Sequence, residues 1–136
     1  MALNPNKYIR AGIIQALPTY NVWANRVPKT ETTPRLYILI TNQGKTEYAN
    51  GKTCHEWECT FSLQIIYRND LGFDASSIVD DAAQEVDNAI RNSMTIPNFY
   101  KKNVTLEGEN DLTYDTDTNT INTKILNYSI WVNNAD

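Results

Sequence analysis

The clearest pattern along the chain is an alternation. Trp57, Cys59, Phe61, Leu63, Ile65 and Tyr67 are apolar at every second position, with Glu56, Glu58, Thr60, Ser62 and Gln64 between them. Successive side chains on a strand point to opposite faces, so this stretch predicts a strand with one dry and one wet face. Ile9, Ile13, Ala16 and Leu17 recur at helical spacing instead. That helix begins at Asn4-Pro5, with Asn as the cap and Pro at the first helical position, and Pro18 closes it. Val79, Ala82, Ala83, Val86, Ala89 and Ile90 mark the buried stripe of a second helix. Asp74 or Ser76 can cap it, Asp80 and Asp81 lie near its positive end, Arg91 lies near its close, and Pro97 stops it.

The remaining segments fill in the order. Residues 18–34 carry Pro18, Pro28 and Pro34 and read as a long connection, with a short strand around Val22, Trp23 and Val27. Leu36 to Thr41 is a nearly continuous apolar run, too short for a helix, and predicts a buried strand. Residues 42–53 are polar and predict a projecting loop, with a hairpin turn at Asn50-Gly51. Val104 to Leu112 is a further strand, Asp115 to Asn119 a turn, and Ile121 to Val132 a final strand. That strand carries Leu126, Tyr128, Ile130 and Val132 on one face, and Ile125 and Trp131 on the other. The predicted order is α-β-β-β-α-β-β. It describes an α+β fold, a single domain over 1–136, in which a mostly antiparallel or mixed sheet carries two helices on one face.

Size and charge narrow the picture. A chain of 136 residues with 41% hydrophobic and 10% aromatic content has a core, which excludes global disorder. The net charge of -4 and pI of about 4.9 argue against a basic nucleic-acid footprint. No apolar run approaches the roughly 18 residues of a membrane-spanning helix. Met1 to Pro5 lacks the charged and then apolar run of a signal peptide, so the expectation is cytosolic synthesis with reduced thiols. Cys54 and Cys59 on one strand would lie about 16 Å apart at ~3.3 Å per residue, beyond disulfide reach.

The chemical motifs all fall short. Gly51-Lys52-Thr53 invites a phosphate-loop reading, but the required first Gly falls at Thr46 and a strand follows where a helix is needed. Asp115-Thr116-Asp117-Thr118-Asn119 opens like an EF-hand loop, but Thr120 stands where Gly belongs and Leu126 where Glu belongs. A solvated acidic turn is the plainer reading, set against a weak calcium site completed by Asp111 or Glu109. Cys54, His55 and Cys59 lack a fourth zinc ligand, and His55 and Cys54 point to opposite strand faces. His55 is the only histidine and no Gly-x-Ser-x-Gly elbow accompanies it. Glu56 and Glu58 share a strand face, where like charges more often serve solubility and edge protection than hydrolysis. The sequons at Asn103 and Asn127 mean little without a secretory signal. No catalytic residue, cofactor or metal is expected.

Pro34-Arg35-Leu36-Tyr37-Ile38-Leu39-Ile40 resembles the first strand of the phage tail-terminator and tail-completion proteins, the small proteins of the neck between capsid and tail. Thr60 to Tyr67 with the helix from Asp74 to Ser93 resembles that family's long alternating strand and helix. Lys124 to Val132 resembles its last strand. The resemblance is one of pattern over nearly the whole chain, and the residues between 93 and 120 depart from it. It implies a non-catalytic ring protein of the virion, made in the host cytoplasm, a homo-oligomer (hexamer or dodecamer) that joins other neck or tail proteins. DNA would pass through the ring without sequence-specific binding, and no membrane would be involved. The acidic balance suits such a channel, since a basic lining would trap phosphates. The expected subunit contacts are Gln43, Lys45, Tyr48 and Asn50 on the polar loop, and Trp131 on the second face of the last strand. Two other classes fit the same pattern: a small non-catalytic α+β binding or adaptor module of a cellular system, and an enzyme whose residues meet only in space.

Overall fold

The structure, a computed structural model, describes residues 4–50 and 55–134, without the side chains at 49, 50, 55 and 134. The expected Asn50-Gly51 turn, the Gly51-Lys52-Thr53 stretch, Cys54 and the His55 side chain lie outside the described residues. The elements run α1 (Pro5–Ala16), β1 (Val22–Ala24), β2 (Leu36–Asn50), β3 (His55–Asp70), α2 (Ser76–Asn92), β4 (Phe99–Asp115) and β5 (Asn119–Asn134). This is the expected α+β order. The sheet has five strands in the order β1-β2-β3-β5-β4, with β1 parallel to β2 and every other pair antiparallel.

The alternation in β3 decides the architecture. Trp57, Cys59, Phe61, Leu63 and Ile65 are buried, and the register sets them level with Val132, Ile130, Tyr128, Leu126 and Lys124 of β5. Ile38 and Ile40 of β2 continue the same dry face. Phe61 stacks on Tyr128 with ring centres 5.2 Å apart. Both helices lie on this face, and α2 buries Val79, Ala82, Ala83, Val86 and Ile90 against it. An aromatic corner closes one end, where Phe99 meets Trp57 at 5.6 Å and Tyr8 at 5.8 Å.

The helix ends follow local chemistry. Asn4 caps α1 and accepts from the Asn6 N–H at 3.1 Å, with Pro5 beginning the helix. At α2 the capping position is Ala75, whose own side chain has nothing to offer. The Asp74 carboxylate accepts instead from the Ser76 N–H at 3.2 Å, the Ser76 hydroxyl at 2.6 Å and the Asn122 amide at 3.0 Å. These bonds hold the Asp74 carboxyl below its ordinary pKa.

Two expectations need correction. Residues 42–50 are not a projecting loop. They continue β2 in register with β3, through bulges between Thr41 and Gly44 and between Glu47 and Ala49. Polar composition hid the strand, because one edge of this segment is open to water and needs no apolar residue there. The second face of the sheet is also drier than the alternation implies. Ser62, Ile66, Ile121, Thr123 and Ser129 are buried there, although both helices lie on the other side. Longer neighbours in the same rows shield them: Tyr37 and Leu112 flank Ile66 and Thr123, while Arg68 and Tyr114 flank Ile121.

Gly12 marks the tightest contact of α1. A Cβ there would sit 2.4 Å from the Thr95 carbonyl oxygen, a backbone atom that cannot swing away. Gly12→Ala should therefore destabilise the protein by about 1–3 kcal/mol, an overpacking cost that outweighs the helix-propensity gain. A midpoint at or above wild type in urea would contradict this packing. Phe61→Ala should cost about 3–5 kcal/mol by the same measurement. Ser62→Ala should cost about 1 kcal/mol, because the Ser62 hydroxyl is buried and donates to Asn127 Oδ1 at 2.6 Å.

Candidate interaction surface

The uncovered face of the sheet has two zones. At the end holding the start of β2 and the close of β4, it is apolar. Trp23 and Tyr37 meet there with ring centres 6.5 Å apart, and the exposed Leu112 and Tyr114 continue the surface over the buried Ile66 and Ile121. Toward the other end it is polar, with Ser62 bonded to Asn127 and Ser129 donating to Glu58 at 3.3 Å. Tyr48 and Trp131 stand at that end.

These two expected contact residues meet each other. Their ring centres are 4.9 Å apart, and Tyr48 is 60% exposed. The Tyr48 hydroxyl donates to Glu58 at 3.4 Å. Gln43 behaves differently. Its amide accepts from Arg10 at 2.7 Å and donates to the Asn6 carbonyl at 3.0 Å, so it fastens α1 to β2 within the chain. Lys45 is exposed and donates to Asn4 Oδ1 at 3.3 Å. The Asn50 side chain lies outside the described residues. Glu56 pairs with Lys102 at 3.2 Å, so neither it nor Glu58 stands without a partner.

A second feature escaped the sequence. A cleft of about 320 Å³ lies between α2 and the strands β4 and β5, lined by Asp80, Ala83, Gln84, Asp87, Glu109 and Lys124. Lys124 is buried on the dry face and reaches Asp111 at 3.0 Å, Asp80 at 3.1 Å and Glu109 at 3.6 Å. Burial alone would lower its pKa, but the bonds and charges of Asp111 and Asp80 raise it. Deeper in, the Tyr128 hydroxyl donates to Asp87 at 2.7 Å, and Arg91 pairs with the same carboxylate at 2.9 Å. The signal for this cluster was present: Lys124 is the one charged residue in β5, and it falls in phase with the core positions. Its partners could not be read, since they come from α2 and β4.

Asp111 and Glu109 turn to Lys124, and Asp115 accepts from Thr120 at 2.7 Å. Among the described residues no group of three acidic, His or Cys side chains is placed to hold a metal ion. Burial pushes the Cys59 thiol up to about 11, away from the thiolate a nucleophile needs. Tyr20 is pushed up to about 12 by burial and by its bond to the Glu85 carboxylate, and Tyr128 is raised by burial and Asp87. Lys101 on β4 is half-buried, and the loss of hydration lowers its pKa. No protein-family model matches the chain, and no curated protein matches it in sequence.

The Lys124 cluster has a measurable signature. Its folded pKa lies above the unfolded value, so its stabilisation is complete below about pH 10 and fades as pH rises through the folded pKa. Lys124→Met should lose about 1–2 kcal/mol at pH 7, a value kept low because the three carboxylates are largely exposed. The gap between wild type and variant in urea midpoints should then narrow above pH 10. A gap that stays constant to pH 12 would show that the ammonium charge is not what Lys124 contributes.

Proposed function

We propose that this chain is a ring-forming structural subunit of a phage neck or tail end, of the tail-terminator or tail-completion kind, and not an enzyme. The observation that carries the reading is the one-sided sheet. Two helices seal one face, and the other presents a continuous surface. That surface is apolar around Tyr37, Leu112 and Tyr114 and aromatic again at Tyr48 and Trp131. A subunit that must meet identical neighbours and rings above and below needs such broad surfaces more than it needs a pocket. The sequence resemblance supplies the setting, and the charge of -4 suits a passage for DNA. In this reading the chain works without a cofactor, is made in the host cytoplasm and ends in the virion.

The test is in the particle. Mass spectrometry of purified virions should detect this chain in multiple copies, and a density map of the neck and tail should place it in a symmetric ring. Particles that lack it would end the structural reading and shift the weight to an adaptor module. An adaptor would be expected instead to co-purify with a cellular partner at one copy per complex.

A further inference from the structure

We propose that the chain joins a second copy of itself edge to edge, the outer edge of β4 in one copy adding antiparallel to the open part of β2 in the next. This rests on the ring-forming reading above and names the contact that would build the ring.

The sheet has two open borders. β1 covers β2 only at Ile38, Leu39 and Ile40. Among the described residues, β2 has no strand on that side from Thr41 to Asn50, and β4 has none on its outer side from Phe99 to Asp115. Such borders present rows of backbone donors and acceptors that another strand can pair. The two borders differ, so a contact between them is heterologous and can close a ring.

Direction and register agree with the join. β2 and β5 run one way and β3 and β4 the other, so two copies set side by side without inversion bring β4 antiparallel to β2. Reading levels across the sheet, Glu47 lies level with Trp57, Val132 and Lys101. Lys45 lies level with Cys59, Ile130 and Val104, and Gly44 with Thr60, Ser129 and Thr105. Copies at equal height therefore oppose residues that share a face. Level copies fit closure, where an axial offset would give a filament.

The side chains at these levels are complementary. On the helix side of the sheet, Glu47 of one copy stands opposite Lys101 of the next. Lys101 is half-buried, and among the described residues no ion pair holds it. On the other side, Tyr48 comes beside Tyr100. These are two of the most exposed large apolar side chains, at 60% and 63%. The contact ends near Gly108, because β1 occupies the β2 edge below Thr41 and the β4 register shifts between Leu106 and Gly108.

The experiment uses the full chain carrying Cys54→Ser. Glu47→Cys and Lys101→Cys are made separately and treated with a short bis-maleimide. Mixed at equal amounts, the two variants should give cross-linked dimers, while neither alone should cross-link. The chain with both cysteines should give a ladder of oligomers. In sedimentation, Glu47→Lys should weaken self-association, Lys101→Glu likewise, and the double reversal should restore it. Tyr100→Ser, at an exposed site, should weaken it without altering the circular dichroism. Cross-linking within a single variant would show a symmetric edge and overturn the proposal. So would a chain that stays monomeric and uncross-linked at millimolar concentration. Rings seen by microscopy that survive both single reversals and give no mixed cross-link would overturn this contact while leaving the ring reading intact. Cross-linked oligomers from a chain missing from virions would keep the contact and remove the neck assignment.

Discussion

The pairing of β3 with β5 is the constraint on which the rest of the molecule depends. It runs from Glu56 opposite Asn133 to Asp70 opposite Asn119 without a register shift, and among the described residues it is the only long pairing that does so. Side chains alternate with period two, so a slip of one residue would turn Phe61 and Tyr128 outward together. Their stacked rings sit at the middle of the pairing, under α2. Because these central strands are unbroken, the flanking strands can carry bulges without losing the common dry face. The bulges fall in β2 and β4.

The uncovered face is held by a different chemistry. Its central residues are small and hydroxylated, and they bond across strands: Ser62 to Asn127, Ser129 to Glu58, Gln64 to Thr41. The buried Ser62 and Ser129 hydroxyls each have a partner, so their burial carries no unpaired polar cost. Lys124 solves the same problem on the helix face. A single ammonium is buried in phase with the core and is satisfied from three sides by carboxylates that keep contact with water. That arrangement makes the edge of the core polar beneath the N-terminal half of α2. It also accounts for the acidic cleft without assigning it a ligand.

How much of this was legible follows from range in sequence. The order α-β-β-β-α-β-β, the helix faces and the inward phase of β3 rest on local periodicity, and periodicity is written in a single strand or helix. The extension of β2 to Asn50 was not legible. Its polar residues are stabilised by hydrogen bonds to β3, which composition does not record. The same holds for the ends of β4 beyond the strand read over Val104 to Leu112; from Glu109 to Asp115 every position is exposed and carries no alternation. Of the candidate contact residues, Tyr48 and Trp131 lie together, which neither residue alone could announce. Gln43 was misleading in kind: a long polar side chain in a polar run reads as surface, yet it is the bracket between α1 and β2. Partners distant in sequence are the common factor in everything missed.

Open strand edges are a hazard that proteins normally blunt, and this sheet both blunts its edges and keeps them usable. β4 is bulged at Lys101–Val104 and Leu106–Gly108, and β2 at Thr41–Gly44 and Glu47–Ala49. A bulge twists the strand and interrupts its ladder, so a generic extended peptide finds no long regular partner there. Lys101 and Lys102 on the β4 border oppose pairing of that edge with its own kind. What remains acceptable is a strand irregular at matching levels and opposite in charge. On the other border Glu47 offers the opposite charge at the level of Lys101. Irregularity and charge thus act against indiscriminate edge growth, and the heterologous contact proposed above is the one that would have to pass them.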